Sequence, residues 1–134
     1  MNKCSIYLQW SNVQLKLKNF IMKIAITSQG SQLDSIIDQR FGRCSYFVIY
    51  DTEKQTSEFL QNPNKLIEEG AGPASVQFLA NQDVEKVVSG EFGVKIKPLM
   101  DQLKMGMIII KEPNSIEKII RVLNTKEYWS LLIN

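Results

Sequence analysis

The fold is decided by residues 84–110, VEKVVSGEFGVKIKPLMDQLKMGMIII. The stretch opens with a short strand at 84–89, whose largely apolar sequence is expected where both faces of a strand are covered. A glycine turn follows at 90–93, and apolar residues then recur at helical spacing. Gly106 is expected to end this helix, and a second buried strand is predicted at 107–110. Strand, helix and strand in succession require parallel strands joined by a right-handed crossover.

The residues on either side extend this unit into a mixed sheet. Three strands are predicted before it, at 23–27, 45–50 and 56–61. A helix at 73–81 begins with proline, a favoured first helical residue. A last helix is expected to follow Asn114 as its N-cap, with Glu117 at capping-box spacing. The order β β β α β α β α predicts an α/β protein whose mixed sheet of about five strands carries helices on its faces.

Length and composition are those of one soluble globular domain. The chain has 134 residues, of which 44% are apolar and 22% are charged, ordinary values for such a protein. Its longest apolar runs fall far short of the ~20 residues that a membrane-spanning helix needs. The chain contains no histidine, which excludes Ser-His-Asp and Cys-His catalysis and histidine-ligated zinc.

The first 21 residues differ from the rest in charge. They hold three of the 16 basic residues and no acidic one, so 13 basic residues remain against 14 acidic ones. A domain with that balance is not typical of nucleic-acid-binding proteins. Residues 1–21 also lack the features of a secretory signal. Two interpretations stay open: Met22 is the natural start, or residues 1–21 are a real extension that packs on the sheet or on a partner.

The two cysteines, Cys4 and Cys44, indicate a reduced, cytoplasmic protein. Arg43 and the turn amides beside Cys44 would favour its thiolate, and a thiolate suits a soft metal or an iron–sulfur cluster. The alternative is that Cys44 is a small buried hydrophobe. Two cysteines without histidine cannot fill a closed structural metal site.

Three glycine-bearing loops are expected to meet at one edge of the sheet, at 27–30, 70–72 and 90–93. Open α/β sheets bind ligands at this edge, beyond the carboxyl ends of their parallel strands. Two helix N-termini would direct backbone N–H groups at an anion there, and Arg43 would add a guanidinium. The alternative is that the glycines only form tight turns. Neither a dinucleotide fingerprint nor a P-loop pattern is present.

Motifs along most of the chain resemble the dinitrogenase iron–molybdenum cofactor biosynthesis domain. The segments are MKIAIT at 22–27, LDS at 33–35, RFGRCSYF at 40–47, GAG at 70–72, VVSGEFG at 87–93 and LKMG at 103–106. The similarity covers about residues 22–123, and residues 1–21 and 124–134 are expected to be an extension and a tail. It implies a ribonuclease-H-like α/β fold with strand order 3-2-1-4-5, in which strand 2 is antiparallel to the others. It also implies binding of an iron–sulfur-based metallocluster, of the iron–molybdenum cofactor type, or of a related anionic cofactor.

We therefore expect a non-catalytic carrier or accessory protein that receives such a cluster or a small anion and works with cluster-assembly proteins. Its expected ligand contacts are Ser28, Phe41, Gly42, Arg43, Gly70, Gly72, Gly90 and Gly93. Cys44 is the expected metal ligand, because it is the only cysteine within the similar region.

Two other functions stay open. A metal-dependent nuclease or phosphoryl-transfer enzyme could use the same fold, but its chemistry needs acids that converge on the central strands, and residues 23–27 contain none. A regulatory interaction protein is the other. Its contact surface would be the tail 124–134, which is too apolar to be a free end and is expected to dock on the domain or on a second copy of the chain.

Overall fold

The computed structural model describes residues 21–125 of the chain. Eight helices and strands follow one another in this range: β1 Lys23–Ser28, β2 Tyr46–Asp51, β3 Thr56–Gln61, α1 Ala71–Asn81, β4 Val84–Ser89, α2 Ile96–Gln102, β5 Gly106–Ile109 and α3 Ile116–Leu123. Their order is the predicted one. The expectations for residues 1–20 and for the apolar tail from residue 126 lie outside the described residues.

The strands form one mixed sheet in the order β3-β2-β1-β4-β5. β2 is antiparallel to both of its neighbours, β1 and β3, whereas β4 is parallel to β1 and to β5. This confirms the α/β class and the expected strand order 3-2-1-4-5. The two parallel crossovers place the ends of β1 and β4 side by side at the centre of the sheet.

Alternation along the strands separates the core into two layers, one on each face of the sheet. Ala25, Phe47 and Val87 pack with residues of α1 and α2. Ile24 and Val88, from the same strands β1 and β4, pack instead with α3. Successive side chains of a strand point to opposite faces, so a central strand covered on both sides must be apolar at nearly every position. Each fully buried valine or isoleucine contributes about 1.5–3 kcal/mol through burial.

Two helices begin near a proline, and each tolerates it for the same reason. α1 begins at Ala71, two residues before the predicted start, so Pro73 lies in its first turn. α2 begins only at Ile96, and Pro98 again lies in the first turn. The first N–H groups of a helix have no intrahelical acceptor, so a proline there removes no helical hydrogen bond. No helix within the described range is long and apolar enough to cross a membrane.

Two predicted helix ends are wrong. Gly106 does not end α2 but is the first residue of β5. The chain reverses instead at Lys104, whose φ of 57° is left-handed. Asn114 is not the N-cap of α3, because its backbone carbonyl accepts a hydrogen bond from Ile37 N–H at 3.0 Å. Ser115 caps the helix, and its hydroxyl accepts from Lys118 N–H at 3.2 Å.

Replacing this cap should destabilise the protein. Ser115→Ala leaves a backbone N–H of the first turn without its side-chain acceptor, and we expect the free energy of unfolding to fall by about 1 kcal/mol. Urea denaturation measures the change. Asn114→Ala is the matched control, expected to stay within about 0.5 kcal/mol of the wild type, because Asn114 contributes its backbone. A larger loss from Asn114→Ala would contradict the assignment of the cap.

Candidate functional site

An open cleft of about 870 Å³ lies at the carboxyl ends of the parallel strands. Its lining comes from three segments, at 40–43, 68–73 and 91–96. The second follows β3 and the third follows β4. The first precedes β2, whose amino end lies beside the carboxyl end of β1 because the two strands are antiparallel. The cleft therefore occupies the edge at which open α/β sheets bind their ligands.

Glycines let these segments approach one another closely. A Cβ atom on Gly42 would lie 2.8 Å from the backbone nitrogen of Gly72, and one on Gly72 would overlap the side chain of Ile96. The carbonyl of Gly42 accepts hydrogen bonds from Asn62 Nδ2 at 3.1 Å and from Ser75 Oγ at 3.3 Å. The absence of side chains at Gly42 and Gly72 thus lets the entry to α1 pack against the segment that precedes β2.

The first predicted loop, at 27–30, does not contribute to the cleft. Ser28 is fully buried, and its hydroxyl donates to the carbonyl of Gly30 at 2.7 Å. Gly90 is also buried, and a Cβ atom added to it would lie 2.7 Å from the Cα atom of Gln39. Residues 40–43 form the part of the cleft lining that the sequence predicted for residues 27–30.

The cleft brings together most of the predicted ligand contacts. It is lined by Phe41, Gly42, Arg43, Gly70, Gly72 and Gly93. Ser28, Gly90 and Cys44 are not among its lining residues. The sequence interpretation missed Arg40 and Lys95, although each lies two residues from a glycine that it singled out.

The charges around the cleft are mixed. Arg40, Arg43 and Lys95 line it together with three glutamates, Glu68, Glu69 and Glu91. The side chain of Arg40 is 62% exposed, and its Nε lies 3.7 Å from a carboxylate oxygen of Asp38. Because the side-chain charges balance, the local preference for anions depends on the backbone.

The backbone contribution comes from the first turn of α1. Its N-cap is Gly70, with a left-handed φ of 75°, no side chain caps the turn and no acidic residue lies within it. The N–H groups of Ala71 and Gly72 are first-turn donors at the positive end of the helix dipole. Both residues line the cleft, so this turn favours a negatively charged ligand.

The guanidinium of Arg43 is already engaged. Its Nη1 donates to the carbonyls of Ile67 at 2.7 Å and Lys65 at 3.2 Å, and its Nη2 donates to the carbonyl of Glu68 at 3.0 Å. All three acceptors belong to the loop between β3 and α1. The bidentate geometry that the sequence assigned to an anion is thus used on the protein's own backbone.

Cys44 lies in the core beside the cleft, and its side chain is fully buried. Burial and, to a smaller extent, the nearby Asp38 carboxylate raise the pKa of its thiol to about 12, against weaker opposing effects of hydrogen bonds from Asn62 and from the backbone. Of the two interpretations that the sequence left open, burial and the raised pKa agree with a small buried hydrophobe and not with a thiolate. Among residues 21–125, no three Asp, Glu or Cys side chains come together as metal ligands would.

Comparisons with known proteins agree with this fold. The dinitrogenase iron-molybdenum cofactor family has a sequence model that matches residues 22–126. The apo form of the orange protein from Desulfovibrio gigas is 25% identical with a TM-score of 0.71, over 75% of this chain and 85% of that one. A NifB-like protein from Thermotoga is 28% identical with a TM-score of 0.67, over 76% of this chain and 86% of that one.

A more distant structure shares the fold alone. A dinitrogenase-like protein from Methanocaldococcus jannaschii is 16% identical with a TM-score of 0.52, over 77% of this chain and 91% of that one. A search of curated proteins finds no match. The sequence match spans most of the chain, and the sheet order is the one expected for that match. The chain belongs to the dinitrogenase iron-molybdenum cofactor family.

Proposed function

We propose that the protein is a non-catalytic carrier or accessory protein, and that its cargo is an iron–sulfur-based metallocluster or a related anionic ligand. Membership of the dinitrogenase iron-molybdenum cofactor family supports this role, as does the similarity to the orange protein. The cargo would bind in the cleft. The observation that carries this placement is the meeting of the uncapped first turn of α1 with Arg40 and Lys95 at one open edge of the sheet.

The physical basis is a set of weak positive groups around a wide opening. The N-terminus of a helix carries the equivalent of about half a positive charge, and the side chains of Arg40, Arg43 and Lys95 that line the cleft add three full charges. Glu68, Glu69 and Glu91 at the same cleft offset part of this field. The balance suits a large anion with diffuse charge, such as a cluster whose charge is spread over several sulfides.

Charge contacts and hydrogen bonds suit a carrier better than metal–protein bonds do. A cargo held in this way can leave without breaking a coordinate bond. Cys44 has no ligating role in this proposal, because its thiol is buried, protonated at neutral pH and absent from the cleft lining. The cleft residues Phe41, Gly42, Gly70, Gly72 and Gly93 would then shape the opening for the cargo.

Anaerobic cargo binding tests the proposal. The protein is mixed with isolated iron–molybdenum cofactor, or with ferrous iron and sulfide, and is desalted; visible absorption should stay with the protein. Lys95→Glu should weaken binding roughly tenfold, or about 1.4 kcal/mol, because it reverses one charge at the cleft. Lys97→Glu is the matched control, since Lys97 is an exposed lysine of α2 that does not line the cleft. No retained absorption with either cargo would overturn the function, and equal losses in the two variants would overturn the location.

Cys44→Ala separates the two possible modes of binding. If the cleft holds the cargo by charge and hydrogen bonds, the retained absorption of Cys44→Ala equals that of the wild type. Loss of absorption in Cys44→Ala, with the far-ultraviolet circular dichroism unchanged, would show instead that the thiol is a metal ligand.

A further inference from the structure

The loop at 63–69, between β3 and α1, separates two cavities, and we call it the wall loop. Glu68 and Glu69 line the cleft on one side of it. Pro63, Lys65 and Leu66 line a second cavity, of about 520 Å³, on the other side. The position of the wall loop therefore sets the width of the cleft.

Burial does not hold the wall loop in place. None of its residues is buried, and the side chain of Leu66 is 89% exposed. Its hydrogen bonds to the rest of the described chain run to Asn62 just before it, which accepts from Asn64 N–H at 2.9 Å and from Lys65 N–H at 3.5 Å, and to the segment 43–45. Lys65 Nζ donates to Ser45 Oγ at 2.7 Å, and Arg43 donates to three backbone carbonyls within the loop. A segment with few buried apolar contacts and exposed hydrogen bonds opens easily, so these bonds decide where the loop lies.

We propose that Arg43 is a positioning residue, which holds the wall loop against the cleft and does not itself contact the cargo. The inference rests on the proposed function, because the cleft is taken to be the cargo site. A guanidinium presents its N–H donors in a rigid planar fork, and here two of its nitrogens serve three carbonyls. Three of its five N–H donors are therefore committed to the loop that forms the wall.

Lysine cannot replace arginine in this role. An ammonium is a compact charge without a planar fork, so it cannot span the carbonyls of Lys65, Ile67 and Glu68 together. Arg43→Lys therefore keeps the charge and removes the clamp. If Arg43 contacted the cargo through its charge, Arg43→Lys would retain most of the binding.

Proteolysis of the cargo-free full chain tests the clamp directly. A glutamate-specific protease cleaves after Glu68 and Glu69 in the wall loop and after Glu53, an exposed turn residue between β2 and β3. The readout is the ratio of the cleavage rate in the wall loop to the rate at Glu53, which cancels any general loss of stability. We expect this ratio to rise at least fivefold in Arg43→Lys and to stay unchanged in Arg40→Lys, the control that alters the other arginine of the segment. An unchanged ratio in Arg43→Lys would overturn the proposal.

Binding of isolated iron–molybdenum cofactor gives the second readout. For a positioning residue, Arg43→Lys should lose affinity although it keeps the charge, and its salt dependence of binding should stay that of the wild type because no charge at the cleft is removed. Near-normal affinity in Arg43→Lys, with a weaker salt dependence in Arg43→Gln, would assign Arg43 to the cargo contacts and overturn the proposal. If the wild type retains neither this cofactor nor the product of ferrous iron and sulfide, the proposed function fails, and the proteolysis ratio still decides whether Arg43 holds the loop.

Discussion

Gly42→Ala is expected to lower the free energy of unfolding by about 2–3 kcal/mol, in the upper part of the range for overpacking a closely packed site. The added Cβ would lie 2.8 Å from the nitrogen of Gly72, 2.9 Å from its Cα and 3.1 Å from the carbonyl carbon of Ala71. These are backbone atoms, so no side chain can rotate to make room. The entry to α1 must move away from the segment before β2, which also strains the hydrogen bonds from Asn62 and Ser75 to the Gly42 carbonyl.

Thermal and urea denaturation measure this loss, and the melting temperature should fall by on the order of 10 °C. Gly93→Ala is the matched control at the same cleft. The nearest atom to a Cβ on Gly93 is Cγ1 of Ile96 at 3.7 Å, an ordinary contact, so the change should stay within about 0.5 kcal/mol. Similar losses in the two variants would show that the approach of Gly42 to Gly72 does not limit stability.

Alkaline pH is expected to destabilise the wild type more than Cys44→Ala. The pKa of the Cys44 thiol is raised to about 12 in the folded protein, from an ordinary value of 9.0. Below pH 9 the thiol is protonated in both the folded and the unfolded state, so its contribution is constant. Between pH 9 and pH 12 the unfolded chain releases this proton while the folded chain retains it. Unfolding is then favoured by about 1.4 kcal/mol for each pH unit.

The difference between the two proteins isolates the thiol, because lysines and tyrosines titrate in both. From pH 9 to pH 11 the wild type should lose about 2.3 kcal/mol more than Cys44→Ala. Urea denaturation at half-unit pH steps provides the comparison. The smaller alanine side chain is expected to lower the free energy of unfolding by the same amount at every pH. It does not change how steeply that free energy falls with pH. Parallel slopes over this range would show that the folded thiol ionises at an ordinary pKa.

Local pattern was sufficient to predict most of the fold. The largely apolar sequence at 84–89 identifies a strand with two covered faces, since neighbouring side chains of a strand must point to opposite sides. Strands that alternate with helices must be parallel and must cross over in one hand. Helix ends were harder to predict, because Asn114 and Ser115 are both good N-caps and only the pairing of Asn114 with Ile37 in space selects Ser115.

The candidate site was predictable only in part. Its location follows from topology, and glycines at 70–72 and 93 line it as expected. The roles of individual side chains could not be predicted from the topology. The guanidinium of Arg43 could bind an anion in any sequence. The residues next to it in the chain do not show that it already donates to the carbonyls of Lys65, Ile67 and Glu68.

The sequence by itself determined the order of the strands and helices, their two-faced burial and the motifs of the dinitrogenase iron-molybdenum cofactor family. These depend on the spacing of apolar residues and on short runs of neighbours along the chain. Only the tertiary structure decided that Gly42 packs against Gly72, that Cys44 lies in the core with a raised pKa and that the cleft opens between 40–43 and 91–96. Each of these depends on groups far apart in the chain, whose distance is fixed only when the sheet and its helices pack together.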